Sequence, residues 1–178
     1  MRGLSTEVGG EVQSEPVEIR ALHHGDQAFL WAMLYQAIYV PSGQERPPRK
    51  IVNDPMLRRY VERWGRAGDW GFVAHVSGRP VGAAWVRQFS ASAPGYGYVD
   101  DATAELSIAI VPEHRGRGIG TRLLRRSLSA AKAREQDLSL SVSRRNPARR
   151  LYERLGFVPV VEDPTSVTMV RRWGSGGW

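Results

Sequence analysis

Ala104-Glu105-Leu106-Ser107-Ile108-Ala109-Ile110-Val111-Pro112-Glu113-His114-Arg115-Gly116-Arg117-Gly118-Ile119-Gly120-Thr121 changes its period halfway along. Up to Val111 the residues alternate, with Leu106, Ile108 and Ile110 on one side and Glu105, Ser107 and Ala109 on the other, the period of a strand. Pro112 ends that strand, because it has no N–H to give to a neighbour. Beyond Thr121 the spacing lengthens: Leu123, Leu124, Leu128 and Ala131 recur at three and four, the period of a helix. Three glycines stand at the change. They remove side chains, so that backbone N–H groups can approach a ligand closely. The helix that starts there offers unpaired N–H groups and the positive end of its dipole, so the expected occupant is an anion, usually a phosphate. A turn that merely lets the helix pack is the plainer alternative. Spacing excludes two common phosphate loops. A P-loop needs lysine after Gly120, and a dinucleotide fingerprint from Gly116 and Gly118 needs a third glycine, but Thr121 stands at both positions.

The segments on either side give the architecture. Val17 to Arg20 reads as a first strand. Asp26 caps a predicted helix carrying Phe29, Leu30, Met33, Leu34, Ala37 and Ile38, which Pro41-Ser42-Gly43 stops. Asp54-Pro55 opens a second helix, expected to run to about Trp64. Trp70 to Val76 and Val81 to Phe89 flank the turn Ser77 to Pro80 as a hairpin, and Ser90 to Gly97 is a loop. Downstream lie a strand at 138–142, a helix at 147–155 ended by Gly156, and strands at 157–161 and 166–170. Three strands in succession rule out a plain Rossmann alternation. The order predicts one α/β (α+β) domain with a central sheet flanked by helices, spanning 16–173 behind a flexible tail at 1–15.

Composition narrows the function. The chain has 178 residues, 42% hydrophobic and 24% charged, a globular balance. It has no cysteine, which excludes disulfides, thiolate metal sites and cysteine nucleophiles. His23, His24 and His75 have no ligand spacing, so no metal is expected. No apolar run approaches 18 residues, and the polar start lacks the order of a signal peptide, so the expected location is cytoplasmic, with no membrane partner. The net charge of +7 is concentrated: residues 115–154 carry +9 and the remainder −2. A nucleic-acid reader interleaves basic residues with exposed aromatics. The basic segment has one aromatic, Tyr152, so no nucleic-acid partner is expected.

Arg-x-x-Gly-x-Gly at Arg115 to Gly120, directly after Val111-Pro112, resembles the acetyl-CoA pyrophosphate loop of the GNAT superfamily of N-acetyltransferases. Asn146-Pro147-Ala148-Arg149-Arg150-Leu151-Tyr152-Glu153-Arg154-Leu155-Gly156-Phe157 is similar to the family's second cofactor motif, and the likeness covers residues 70–170. It implies a mixed, mostly antiparallel sheet and acetyl-CoA as cofactor. It also implies acetyl transfer to a primary amine of a small molecule or protein, by direct attack in a ternary complex. Gly116, Arg117, Gly118, Ile119, Gly120 and Thr121 would cradle the pyrophosphate, with pantetheine along the open edge of Ile108, Ala109 and Ile110. Arg115 and Arg117 would add charge there, or be ordinary surface arginines. Asn146 would hydrogen-bond pantetheine, although it stands six positions before Tyr152 where many members have seven, with Arg145 at seven. Tyr152 would protonate the leaving thiolate, its phenol pKa being about 10, or only pack against pantetheine.

Glu105 is the implied base for the amine, with Asp100 and Asp101 as rivals and an arginine partner or surface charge as the plain alternative. Trp31, Tyr35, Tyr98 and Asp100 form the expected acceptor-binding set, against the alternative that Trp31 and Tyr35 are core. A non-catalytic CoA-binding or sensor module stays open as a second reading, and a homodimer is compatible with either.

Overall fold

The computed structural model describes residues 15–173. The expected tail at 1–15 lies outside them apart from Glu15, whose carboxylate accepts the Ser77 hydroxyl at 2.9 Å. In chain order the elements are β1 (Val17–Ala21), α1 (Gln27–Ala37), α2 (Pro55–Arg58), β2 (Trp70–Val76), β3 (Arg79–Arg87), β4 (Ala104–Ile110), α3 (Ile119–Ala133), β5 (Leu138–Ser143), α4 (Arg149–Arg154), β6 (Val158–Glu162) and β7 (Ser166–Arg171). The strands form one seven-stranded sheet in the order β1-β2-β3-β4-β5-β7-β6. All neighbours are antiparallel except β4 and β5, which run parallel and pair only at Ala104 with Leu138 and Glu105 with Ser139. This is the mixed, mostly antiparallel sheet that the sequence implies.

The period-two pattern of β4 divides the core in two. Leu106, Ile108 and Ile110 face α3 and α4 and join Leu123, Leu124, Leu128, Tyr152 and Phe157. Ala109 faces the other side with Ala83 and Trp85, where Leu30, Met33 and Leu34 of α1 and Tyr60, Val61 and Trp64 close the layer. Trp85 ties that layer together, its indole N–H donating to the Tyr60 carbonyl at 3.1 Å. Truncating the fully buried Leu30, Met33 or Leu123 to alanine costs about 2–5 kcal/mol.

Two local expectations differ. Asp26 stands before α1 but does not cap it. Its carboxylate is taken by the Arg20 guanidinium (2.8 Å) and the His23 N–H (2.9 Å). The second helix is four residues long rather than reaching Trp64, and the chain continues as turns to Arg63, which has a φ of 52°. The cause is Arg87. Its guanidinium, paired with Asp69 at 2.6 Å in the interior, also donates to the carbonyls of Arg59 (2.6 Å) and Glu62 (2.9 Å). Those carbonyls are drawn to a buried cation instead of to amides further along a helix.

Candidate functional site

The parting of β4 and β5 creates the site. Ala104 gives its N–H to Asp137, and Val111 gives its N–H to Val81 on the β3 side. Backbone groups alternate sides along a strand, so the Leu106 carbonyl, Ile108 and Ile110 turn toward the gap where β5 has diverged, while the Leu106 N–H still meets Ser139 of β5. Ala109, expected on this open edge, turns its backbone groups to β3, opposite Ala83. The same alternation adds Leu106, which the motif reading missed.

At the end of this gap the chain makes the glycine turn. Gly116 and Gly118 have φ of 73° and 76°, left-handed conformations that L side chains rarely hold. A Cβ on either would meet nothing of the protein within 4 Å, so the turn is open on its outer side. The first α3 hydrogen bond is from Arg122 N–H to Gly118 O, which leaves the amides of Ile119, Gly120 and Thr121 without an acceptor in the helix. Arg117 is exposed and, among the described residues, takes no ion pair or hydrogen bond. Arg115 is engaged: its Nε donates to Ile110 O at 3.0 Å, and Nη2 to Gln36 Oε1 at 3.0 Å. It braces the turn against β4 and the end of α1.

The second motif arrives beside the first because β5 runs parallel to β4. Asn146 Oδ1 accepts the Ala148 N–H at 3.0 Å, fixing the turn into α4. The Tyr39 hydroxyl donates to Arg145 O at 2.9 Å, so the segment after α1 also braces this turn. Tyr152 is 9% exposed and packs edge-on to Phe157, with centroids 6.1 Å apart. Its hydroxyl takes no protein partner among the described residues. Burial pushes its pKa up to about 12, so at neutral pH it is a proton donor and not a base.

Glu105 lies on the opposite face of β4, 4% exposed. Its Oε1 accepts the Tyr60 hydroxyl at 2.7 Å and the Gly97 N–H at 2.9 Å, while Oε2 is buried with no partner. A Cβ on Gly95 would collide with Oε2, and one on Gly97 would crowd the carboxyl carbon, so the glycines of the 90–98 loop permit its close approach. Burial raises the Glu105 pKa from 4.5 to about 7, while the two hydrogen bonds pull against that rise. The group therefore exchanges a proton near neutrality, as a general base must.

The acceptor candidates are spread more widely. Trp31 is half-buried against the second core layer. Tyr35 donates to Pro47 O at 2.8 Å, and its ring lies beneath Arg46 and Arg49, so it anchors the segment after α1. Asp100 accepts the N–H groups of Ala102 (3.0 Å) and Thr103 (2.8 Å) and lies 3.8 Å from Arg172, which makes it a turn-forming residue. Tyr98 donates to Asp101 Oδ1 at 2.6 Å. Among the described residues, none of these four side chains hydrogen-bonds Glu105. Tyr60, 45 residues away in sequence, does. A cleft of about 440 Å³ lined by Gly68, Trp70, Ala102, Arg134, Glu135 and Gln136 lies at the far end of α3 and holds none of the motif residues.

A family model described as an acetyltransferase (GNAT) domain matches residues 68–159. No curated protein matches the chain in sequence. Among solved structures, yncA of Salmonella typhimurium with its cofactor acetyl-CoA is similar at 20% identity, covering 92% of this chain and 97% of that one, with a TM-score of 0.66. The paia N-acetyltransferase of Thermoplasma acidophilum in complex with coenzyme A is 18% identical over 88% of this chain and 99% of that one, at a TM-score of 0.63. The ribosomal-protein-S18-alanine N-acetyltransferase of Escherichia coli is 19% identical over 91% and 97%, at 0.59. At these identities the likeness is one of fold.

Proposed function

The chain belongs to the acetyltransferase (GNAT) family, and from that premise we propose that it moves an acetyl group from acetyl-CoA to a primary amine of a small molecule or protein, by direct attack in a ternary complex. The observation that carries this reading is the gap between β4 and β5 ending at the open glycine turn. The residues fit the cofactor: an unpaired strand edge suits an amide-bearing arm, and free amides at a helix start suit a pyrophosphate. Arg117, Arg145 and Arg150, without ion pairs among the described residues, are near enough to the two turns in sequence to add positive charge. Bound there, acetyl-CoA supplies an activated acetyl group.

Each step then falls to a named group. The Leu106 carbonyl, Ile108 and the Ile110 N–H hold the arm, the Ile110 carbonyl being taken by Arg115. Gly116 to Thr121 hold the phosphates. Asn146, whose Oδ1 is used in its own turn, offers its side-chain NH₂ to the arm. Glu105 takes a proton from the ammonium, since only the neutral amine has a lone pair to attack with. Tyr152, protonated and with its hydroxyl unpartnered, gives a proton to the departing thiolate. Trp31 and Tyr98 wall the acceptor side. No helix among the described residues is long and apolar enough to cross a membrane.

The test is CoA release from acetyl-CoA over a panel of amines and peptides, with mass detection of the acetylated product. Acetylated product from at least one amine is expected. A melting temperature that rises with acetyl-CoA, without product from any amine, would instead support a CoA-binding or sensor module. No rise in melting temperature would overturn the cofactor reading itself.

A further inference from the structure

Glu105 is surrounded by a small set of groups from four directions. From the turn after α2 comes Tyr60, 5% exposed, whose hydroxyl donates to Oε1 at 2.7 Å and accepts the Tyr96 N–H at 2.6 Å. From the 90–98 loop come the Gly97 N–H and Gly95. From β3 comes Arg87, opposite Glu105 in register, with its charge committed to Asp69. From β5 comes Ser139, whose hydroxyl turns to Ala104 O. Arg59, next to Tyr60, donates to Pro94 O and so holds the same loop from outside. Among the described residues, no cation pairs with the Glu105 carboxylate. Among those residues, Tyr60 is the only titratable side chain hydrogen-bonded to it.

We propose that Tyr60 is the positioning residue of the Glu105 carboxylate, fixing Oε1 so that Oε2 is the oxygen that carries the proton Glu105 takes up from the ammonium. Oε1 already accepts two hydrogen bonds, from a phenol and from an amide, which spend its lone pairs. Oε2 has none, and is the more basic oxygen for that reason. In the transfer, the N–H bond of the ammonium breaks and its electron pair stays on nitrogen. Because Oε2 has no exposed surface beneath Gly95, a water takes that proton and passes one of its own on, which forms an O–H bond at Oε2. Tyr60 keeps its own proton throughout, because burial and the neighbouring carboxylate both drive its pKa far above the ordinary phenol value. Its second bond, to the Tyr96 N–H, sets the loop that carries Gly95 and Gly97. One hydroxyl thus orients the carboxylate and the cover over it. The inference deepens the role given to Glu105 above and rests on that reading.

The experiment is a carboxyl ¹³C NMR titration of glutamate-labelled protein without ligand, wild type against Tyr60→Phe, with the Glu105 signal identified by its loss in Glu105→Gln. Losing a hydrogen bond to the charged form while burial is kept is expected to move the Glu105 midpoint up by about one pH unit. An unmoved midpoint overturns the proposal. So does a midpoint that falls toward 4.5, which would mean that Tyr60 only holds the loop shut and that its loss lets water in. If Tyr60→Phe does not fold, the wild type supplies the answer: the Tyr60 ring carbon bearing the hydroxyl is expected to titrate with the Glu105 midpoint, and a carbon that ignores that titration overturns the coupling. Turnover of Glu105→Gln over the amine panel tests the base reading separately. The two ideas can therefore fail independently.

Discussion

Replacing Glu105 by glutamine keeps the shape and both accepted hydrogen bonds but removes a charge that the fold holds at a cost. The carboxyl is 4% exposed, and its pKa rises from 4.5 to about 7. A group that binds its proton more tightly when folded stabilises the protein fully below pH 4.5, and that contribution drains away as the pH climbs to about 7. The span corresponds to about 3 kcal/mol. Glutamine does not titrate, so the variant escapes this loss. Its amide nitrogen, beside Gly95 without an acceptor, brings a pH-independent cost of about 1–3 kcal/mol. The quantity to read is therefore the difference in melting temperature between variant and wild type, at pH 8 minus the same difference at pH 4. At about 2–4 °C per kcal/mol for a domain of this size, it is expected to favour the variant by about 6–12 °C. Calorimetry across that pH range measures it. Parallel curves for the two proteins would refute the argument that Glu105 is a buried, proton-exchanging carboxyl.

Tyr152→Phe is expected to lower kcat about 100-fold with little change in acetyl-CoA affinity, because it removes a proton donor and leaves the ring packed on Phe157. Steady-state kinetics with an acetyl-CoA titration by calorimetry would check this, and an unchanged kcat would remove the acid role. Gly118→Ala is expected to cost about 1–2 kcal/mol of stability for placing a side chain at a φ of 76°. The new methyl meets no protein atom, so a larger loss of acetyl-CoA affinity than of stability would come from its intrusion on the phosphate site. Equal losses would count against that site.

Much of the fold was legible because its signals are local. The switch from period two to period three-and-four at Pro112 to Gly120 marks β4 and α3, and the order of elements already excludes a doubly wound sheet. The glycine turn could be read as well, since positive φ at Gly116 and Gly118 is a property of residue type and position. The end of the second helix was not legible. It is set by Arg87, which arrives from 24 positions beyond Arg63 to claim the carbonyls of Arg59 and Glu62. Asp26 likewise has the residue type of a cap, yet a cation on the preceding strand outcompetes the helix amides for it.

The site divides in the same way. Tyr152 and the glycine turn stand in contiguous motifs, so the sequence by itself determined the family likeness, the cofactor class and those residues as candidates. Glu105 could be named and even placed on the right face of its strand, because a period of two fixes which side chains share a face. Its proton affinity could not be read. Only tertiary structure buries the carboxyl beneath Gly95 and Gly97 and brings Tyr60 to Oε1 from a distant turn. A pKa is set by solvent exclusion and by hydrogen bonds formed across long loops, and neither quantity has a period or a spacing along the chain. The same holds for Tyr35 and Asp100, whose residue types suit an amine site but whose polar atoms the fold engages in bracing a loop and closing a turn.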